Sequence, residues 1–211
     1  MTRADEQGVE FIDWPRFERL MDDLARAIVA AGYRPDLVVA IGRGGYVPAR
    51  VLCDRLGTRD LVGFQVTHYR ETAVEAETRL RYPLPPGLHA RRVLLVDDVM
   101  DSGSSLALGI GHLCRTLPDC ELRTAVIHYK SCAEGEPDFC AARVERWRWI
   151  LYPWALVEDG WHFVQTAGLA DQPASRVQTR LAADFGLALS LAQVEAILHF
   201  GGGGTGQEEA P

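Results

Sequence analysis

The chain contains no apolar run approaching the ~20 residues needed to cross a bilayer. Its opening residues, Met1-Thr2-Arg3-Ala4-Asp5-Glu6, hold no apolar stretch of the kind that forms a signal peptide. Both absences point to a cytoplasmic protein with no membrane partner. The five cysteines (Cys53, Cys114, Cys120, Cys132 and Cys140) are odd in number and include no CxxC pair. They read as free thiols in a reducing compartment. A zinc site built from Cys132, Cys140 and His128 lacks the closely spaced ligand pairs that such sites use. There is no excess of positive charge, since the formal net charge is -7. An acidic chain is a poor match for a nucleic-acid backbone, so nucleic acid is not an expected partner. A Walker lysine motif, a dinucleotide fingerprint and an internal repeat are also missing.

What remains is an ordinary globular composition: 211 residues, 47% hydrophobic and 24% charged. That length supports one domain with a full core. Asp13 before Trp14-Pro15 marks a helix start, because Asp caps free amides and Pro fits the first turn. Phe17, Leu20, Met21, Leu24, Ala27, Ile28 and Ala31 recur at helical spacing, and Gly32 supplies a stop. Leu37 to Ile41 is a short continuous apolar run, followed by Gly42-Arg43-Gly44-Gly45 and then a helix from Pro48 to Leu56. An apolar strand, a glycine turn and a helix form the pattern of a parallel α/β sheet covered on both faces. Leu61 to Val66 is expected as another strand. Thr67 to Arg92 is polar and proline-bearing, and reads as a long connection of the kind that often serves as a lid. Strands are also expected at Val93 to Val96 and Leu122 to Tyr129, and Trp147 to Leu151 is a short aromatic and β-branched stretch broken by Pro153. Helices are expected from Ser104 or Ser105 to Leu117, from Ser175 to Phe185, and from Leu191 to Phe200 with Ser190 as cap. The expected organisation is a core over residues 1–160 with its N-terminal helix, a helical extension over 161–200 packed on that core, and a flexible tail over 201–211.

Two segments carry the chemistry. The first is Val93-Leu94-Leu95-Val96-Asp97-Asp98-Val99-Met100-Asp101-Ser102-Gly103-Ser104-Ser105. In open parallel sheets, ligands bind at the carboxyl ends of strands, and here that end carries three carboxylates. Clustered carboxylates repel unless cations or hydroxyls balance them. Ser102, Gly103, Ser104 and Ser105 offer amides and hydroxyls at a helix N-terminus, an anion site. Gly103 lets the backbone approach a phosphate closely. Asp97 and Asp98 suit ribose hydroxyls and a Mg²⁺ held by substrate oxygens. The second segment is the Gly42-Arg43-Gly44 turn, whose amides and guanidinium suit a pyrophosphate.

The first segment resembles the phosphoribosyl pyrophosphate motif of the type I phosphoribosyltransferases. The resemblance implies a five-stranded parallel core with a flexible hood, usually in a dimer. It implies that Asp97 and Asp98 hold the ribose, with Asp98 facing the metal. Asp101 would lie near the reacting base nitrogen, and Ser102 to Ser105 would hold the 5′-phosphate. Arg43 and its glycines would meet the pyrophosphate, with Tyr69 and Arg70 as candidate contacts from the hood. Serine stands at 102 and 105, where threonine is common.

Tyr129-Lys130 and Trp149-Ile150-Leu151-Tyr152-Pro153-Trp154 are similar to the xanthine-guanine branch. That likeness implies that Lys130 donates to a purine 6-oxo group, Trp149 stacks on the ring and Ile150 meets the base edge. A cationic donor favours a 6-oxo over a 6-amino purine. Trp147, Trp154 and Trp161 read as packing residues. Relatives carry an acidic residue after the Pro-Trp pair, where this chain has Ala155. The implied activity is transfer of a phosphoribosyl group from phosphoribosyl pyrophosphate to guanine, xanthine or hypoxanthine, with Mg²⁺. The alternatives are another nitrogen base, or a sensor of phosphoribosyl pyrophosphate that keeps the fold. The C-terminal helices give no basic face for a nucleic-acid-binding regulator, since Arg176 and Arg180 are offset by Asp171, Asp184 and Glu195.

Overall fold

The computed structural model describes residues 8–70 and 76–202, and of residues 68–70, 76 and 77 the backbone alone. The chain forms two compact units. One is Phe17–Arg146, and the other joins the two ends of the chain, residues 8–16 with 147–202 among the described ones.

The larger unit is a six-stranded sheet. In chain order its strands are β2 (Leu37–Gly42), β3 (Asp60–Arg70), β4 (Ala76–Tyr82), β5 (Arg92–Met100), β6 (Glu121–Lys130) and β7 (Phe139–Val144). In space they run β4-β3-β2-β5-β6-β7. The five strands from β3 to β7 in that row are parallel, and β4 is an antiparallel edge. Every residue of β2 is buried, as its unbroken apolar run predicts for a strand covered on both faces. Ile41, Phe64, Leu95, Leu106, Leu113 and Val126 share one core cluster.

Helix α1 (Trp14–Ala30) opens as expected, the Asp13 carboxylate accepting from the Arg16 amide at 2.8 Å. Its buried face is Phe17, Met21, Leu24, Ala25 and Ile28, whereas Ala27 and Ala31 are exposed. A narrow stripe suffices because the helix covers its neighbours on one side only. Helix α2 (Tyr46–Leu56) ends at Gly57 in the left-handed region, and Arg55 Nε donates to Asp22 of α1 at 2.6 Å. Helix α3 (Ser104–Thr116) follows the acidic strand.

The segment expected as one long connection is partly a β ribbon. β3 continues to Arg70, and β4 returns beside it. Polar and charged residues dominate both strands there, so the apolar alternation that signals a strand is weak. Residues 83–91 are also held: Leu84 is buried, its amide donates to His112 Nε2 at 3.1 Å, and the Asp36 carboxylate accepts from the amides of Arg91 and Arg92. Hood residues 71–75, the side chains of Tyr69 and Arg70, and tail residues 203–211 lie outside the described residues.

The smaller unit pairs β1 (Val9–Phe11) in parallel with β8 (Trp149–Leu151). It continues with α4 (Leu156–Thr166), α5 (Ala174–Phe185) and α6 (Leu191–Gly201). Leu151, Phe163, Val177, Leu181, Val194 and Ile197 form its core. Ser190 caps α6 through a reciprocal pair with Gln193. No helix among the described residues is long and apolar enough to cross a membrane.

Candidate active site

The acidic strand extends further than its apolar run suggests. Asp97, Asp98, Val99 and Met100 all belong to β5, and Asp97, Val99 and Met100 pair with Val126, His128 and Tyr129 of β6. The stretch between the strand expected to end at Val96 and the helix that follows is therefore mostly strand, leaving a turn of three residues, Asp101 to Gly103. β2 pairs with β5 only as far as Val96, so the ladder to β6 alone keeps β5 extended where its side chains turn polar.

Each of the first two carboxylates binds the next amide. Asp98 N donates to Asp97 Oδ1 at 3.0 Å, and Val99 N donates to Asp98 Oδ1 at 2.7 Å. Loss of water, together with the Asp98 charge, pushes the Asp97 carboxyl well above the usual carboxylate range. The Asp98 carboxylate lies directly against Gly44, where any side chain would collide with it. A side chain at Gly45 would come within 2.6 Å of the Ile41 carbonyl. The glycines thus let the Gly42-Arg43-Gly44 turn close down on the end of β5, joining the two segments singled out in the sequence. Arg43 itself is exposed, and the Gly42–Arg43 peptide is cis.

At Gly103 the chain turns with φ 92°, a conformation natural only to glycine, and α3 begins. No side chain caps that helix start. Ser102 Oγ lies 2.9 Å from Ser104 Oγ and accepts from the Ser104 amide at 3.3 Å. Helix-terminal amides and two hydroxyls meet in this turn, the kind of arrangement that suits an anion. Ser105 is half-buried just behind it.

Lys130 ends β6, a strand whose residues from Thr124 onward are all buried. Its side chain is 4% exposed, and Nζ is 3.0 Å from Asp101 Oδ2. A buried ammonium is costly unless paired, so this contact fixes both side chains. In the sequence the two residues belong to separate motifs, and nothing there shows that they touch.

Other groups in this region were not visible in the sequence. Thr78 of β4 donates to Ser104 Oγ at 3.0 Å. The turn after β6 braces the serine turn, with the Glu134 amide donating to the Ser102 carbonyl at 3.0 Å. A side chain at Gly103 would come within 2.5 Å of the Glu134 carbonyl. Neither contact has a local motif, because both join distant stretches through the sheet.

Trp149 and Ile150 lie on β8, in the smaller unit. Trp149 Nε1 donates to Asp159 Oδ2 at 3.1 Å, and its ring stacks on His162 and meets the edge of Phe163. Ile150 is buried and pairs with Glu10 of β1. Ala155 precedes α4 and offers no side-chain cap. Trp154 stacks on Tyr152 at 4.7 Å, and Trp161 packs against Gly201, as expected of packing residues.

Residues 9–159 match the family model described as a phosphoribosyl transferase domain. The xanthine-guanine phosphoribosyltransferase of Ruegeria sp. (strain TM1040) is 30% identical over 156 residues, covering 69% of this chain and 84% of the relative. Among solved structures, the purine phosphoribosyltransferase of Pyrococcus horikoshii Ot3 is similar with TM-score 0.61 and 27% identity, covering 69% of this chain and 93% of the other. A hypothetical protein of Neisseria gonorrhoeae, solved with ppGpp bound, is similar with TM-score 0.60 and 29% identity, covering 77% and 98%.

Proposed function

The chain belongs to the phosphoribosyl transferase domain family, and from that premise we propose that it moves the 5-phosphoribosyl group of phosphoribosyl pyrophosphate onto guanine, xanthine or hypoxanthine and releases pyrophosphate. The observation that carries the choice of a 6-oxopurine is the Lys130–Asp101 pair beside the serine turn. It places a cationic donor, suited to a 6-oxo group, next to a carboxylate that can accept a proton from the base. A 6-amino purine would bring a second donor to Lys130 and offer that ammonium no acceptor from the base.

In this reading the serine turn holds the 5′-phosphate and the Arg43 turn holds the pyrophosphate. Asp97 and Asp98 accept from the ribose hydroxyls. Trp149 and Ile150 serve the base ring and its edge. Mg²⁺ fits the donor set, because Asp98 presents hard oxygen donors at the end of β5 against the Gly44 backbone. Bound at Asp98 with substrate oxygens, the cation would offset negative charge on the departing pyrophosphate. Arg43 adds a guanidinium whose planar fork of donors matches phosphate oxygens. As the bond from the anomeric carbon to pyrophosphate breaks, the carboxylates of Asp98 and Asp101 favour the growing positive charge on the sugar. A base nitrogen forms the new bond to that carbon, and Asp101 takes its proton.

Asp101→Asn keeps the size of the side chain and removes the base. Its turnover with guanine should fall about 10²- to 10⁴-fold, the usual share of general acid–base catalysis, with far-ultraviolet circular dichroism unchanged. Normal purine transfer by this variant defeats the assignment.

A second reading concerns a regulatory ligand, favoured by the ppGpp bound in the Neisseria protein. That nucleotide carries a guanine and two diphosphates, the groups assigned here to Lys130 and to the two anion turns. Competition between ppGpp and phosphoribosyl pyrophosphate in initial-rate assays is expected; rates indifferent to ppGpp dispose of it.

A further inference from the structure

The serine turn has a partner outside the stretch of chain that forms it. Thr78, on the antiparallel edge strand β4, donates its hydroxyl to Ser104 Oγ at 3.0 Å, and Ser104 Oγ is 2.9 Å from Ser102 Oγ. Three hydroxyls therefore stand in a row over the start of α3. The row is anchored at both ends. The Ser104 amide donates to Ser102 Oγ at 3.3 Å, and Thr78 is held in the ladder opposite His68 of β3. β4 also lies against α3.

A serine hydroxyl has one proton and two acceptor sites. In an unattended turn that proton is divided among neighbours and water. A donor arriving from Thr78 occupies an acceptor site of Ser104 and leaves the Ser104 proton to be given onward. Threonine suits this task because branching at Cβ restricts χ1, so its hydroxyl is presented in few directions.

We infer that Thr78 is a positioning residue for phosphoribosyl pyrophosphate: through Ser104 it orients the hydroxyls of the turn that receives the 5′-phosphate, and so ties the hood ribbon to substrate affinity. The inference rests on the function proposed above, since it takes the serine turn as the phosphate site. Thr78 touches no reacting atom in this reading and acts only by way of Ser104.

The test is a set of steady-state measurements on the full chain with varied phosphoribosyl pyrophosphate and with varied guanine. Thr78→Val keeps the shape and removes the hydroxyl. One net hydrogen bond corresponds to a rise in KM for phosphoribosyl pyrophosphate of about three- to tenfold, with kcat falling less than about twofold. KM for guanine should move much less, which separates orientation of the phosphate turn from general loosening of the site. Thr78→Ser should restore most of the lost affinity. In a Ser104→Ala background, Thr78→Val should add nothing, because the hydroxyl it acts through is gone. Thr78→Ala gives a second route to the same result should the valine variant fold poorly, with circular dichroism as the control. Unchanged KM in the valine and alanine variants overturns the inference, as does an equal loss in Thr78→Ser or an undiminished effect without the Ser104 hydroxyl. Calorimetry on the unaltered protein with Mg²⁺ and phosphoribosyl pyrophosphate separates the two levels of argument. No binding there removes the proposed function and this inference together, whereas normal binding with an indifferent Thr78 removes the inference alone.

Discussion

A lysine that is almost fully buried needs a polar partner, and in this chain the Asp101 carboxylate lies 3.0 Å from its Nζ. The pair makes Lys130 the most informative single residue for substrate choice. Lys130→Gln keeps hydrogen-bonding capacity but loses the cation. A hydrogen bond to a charged group contributes about 1.5–3 kcal/mol, so kcat/KM for guanine should drop about 10- to 150-fold, and discrimination against adenine should shrink with it. Parallel assays of both bases check this, and a variant that still prefers guanine to the original degree contradicts the role given to Lys130. The glycines of the two turns make a second residue-scale point. A side chain at Gly44 would displace the Asp98 carboxylate, and Gly103 is required by both its φ of 92° and the nearby Glu134 carbonyl. From the sequence, Gly103 reads as a close approach to a phosphate and Gly44 as part of a pyrophosphate turn; the protein groups packed against them, Asp98 and Glu134, become visible only in the fold.

At the scale of elements, His112 on α3 offers a pH-dependent link. Its Nε2 accepts from the Leu84 amide at 3.1 Å, and its ring meets Phe64 edge-on. Burial, and then the Arg115 charge, hold its pKa below the ordinary histidine value. The folded form thus favours neutral imidazole, while the unfolded chain takes up its proton at higher pH. The resulting stability is complete above roughly pH 6.5 and is lost as pH falls through the lowered folded value. Urea midpoints measured from about pH 7.5 down to pH 5 should decline, and His112→Gln, whose amide oxygen still accepts, should flatten the slope. The same helix shows what was legible beforehand. α3, β2, β6 and α6 stood out because apolar periodicity and capping residues agree with their final environment. β4 and β7 did not, because an edge ribbon of charged residues and the short strand Phe139–Val144 depend on a neighbouring strand rather than on their own pattern. β5 was cut short for a related reason, since its last residues are polar but remain tied to β6. The acidic and serine residues of the site were readable as a contiguous motif, whereas Thr78 and the Glu134 brace were not, because tertiary pairing alone brings them near.

At the scale of the whole molecule, the unit with the sheet and the unit made from the chain ends have separate cores. Phe163 is fully buried in the latter, against Phe185 at 5.1 Å. Phe163→Ala should cost about 3–5 kcal/mol. Amide hydrogen exchange should locate that loss in α4, α5 and α6, while β2 and β5 keep their protection. Equal loss of protection throughout would show that the two cores melt as one. The pairing of β1 with β8 also has a consequence for synthesis. Val9 to Phe11 leave the ribosome well before their ladder partners, Trp149 to Leu151. β1 must wait, without its hydrogen bonds, until the strands β2 to β7 have all been translated, and the sheet they form can assemble during that delay.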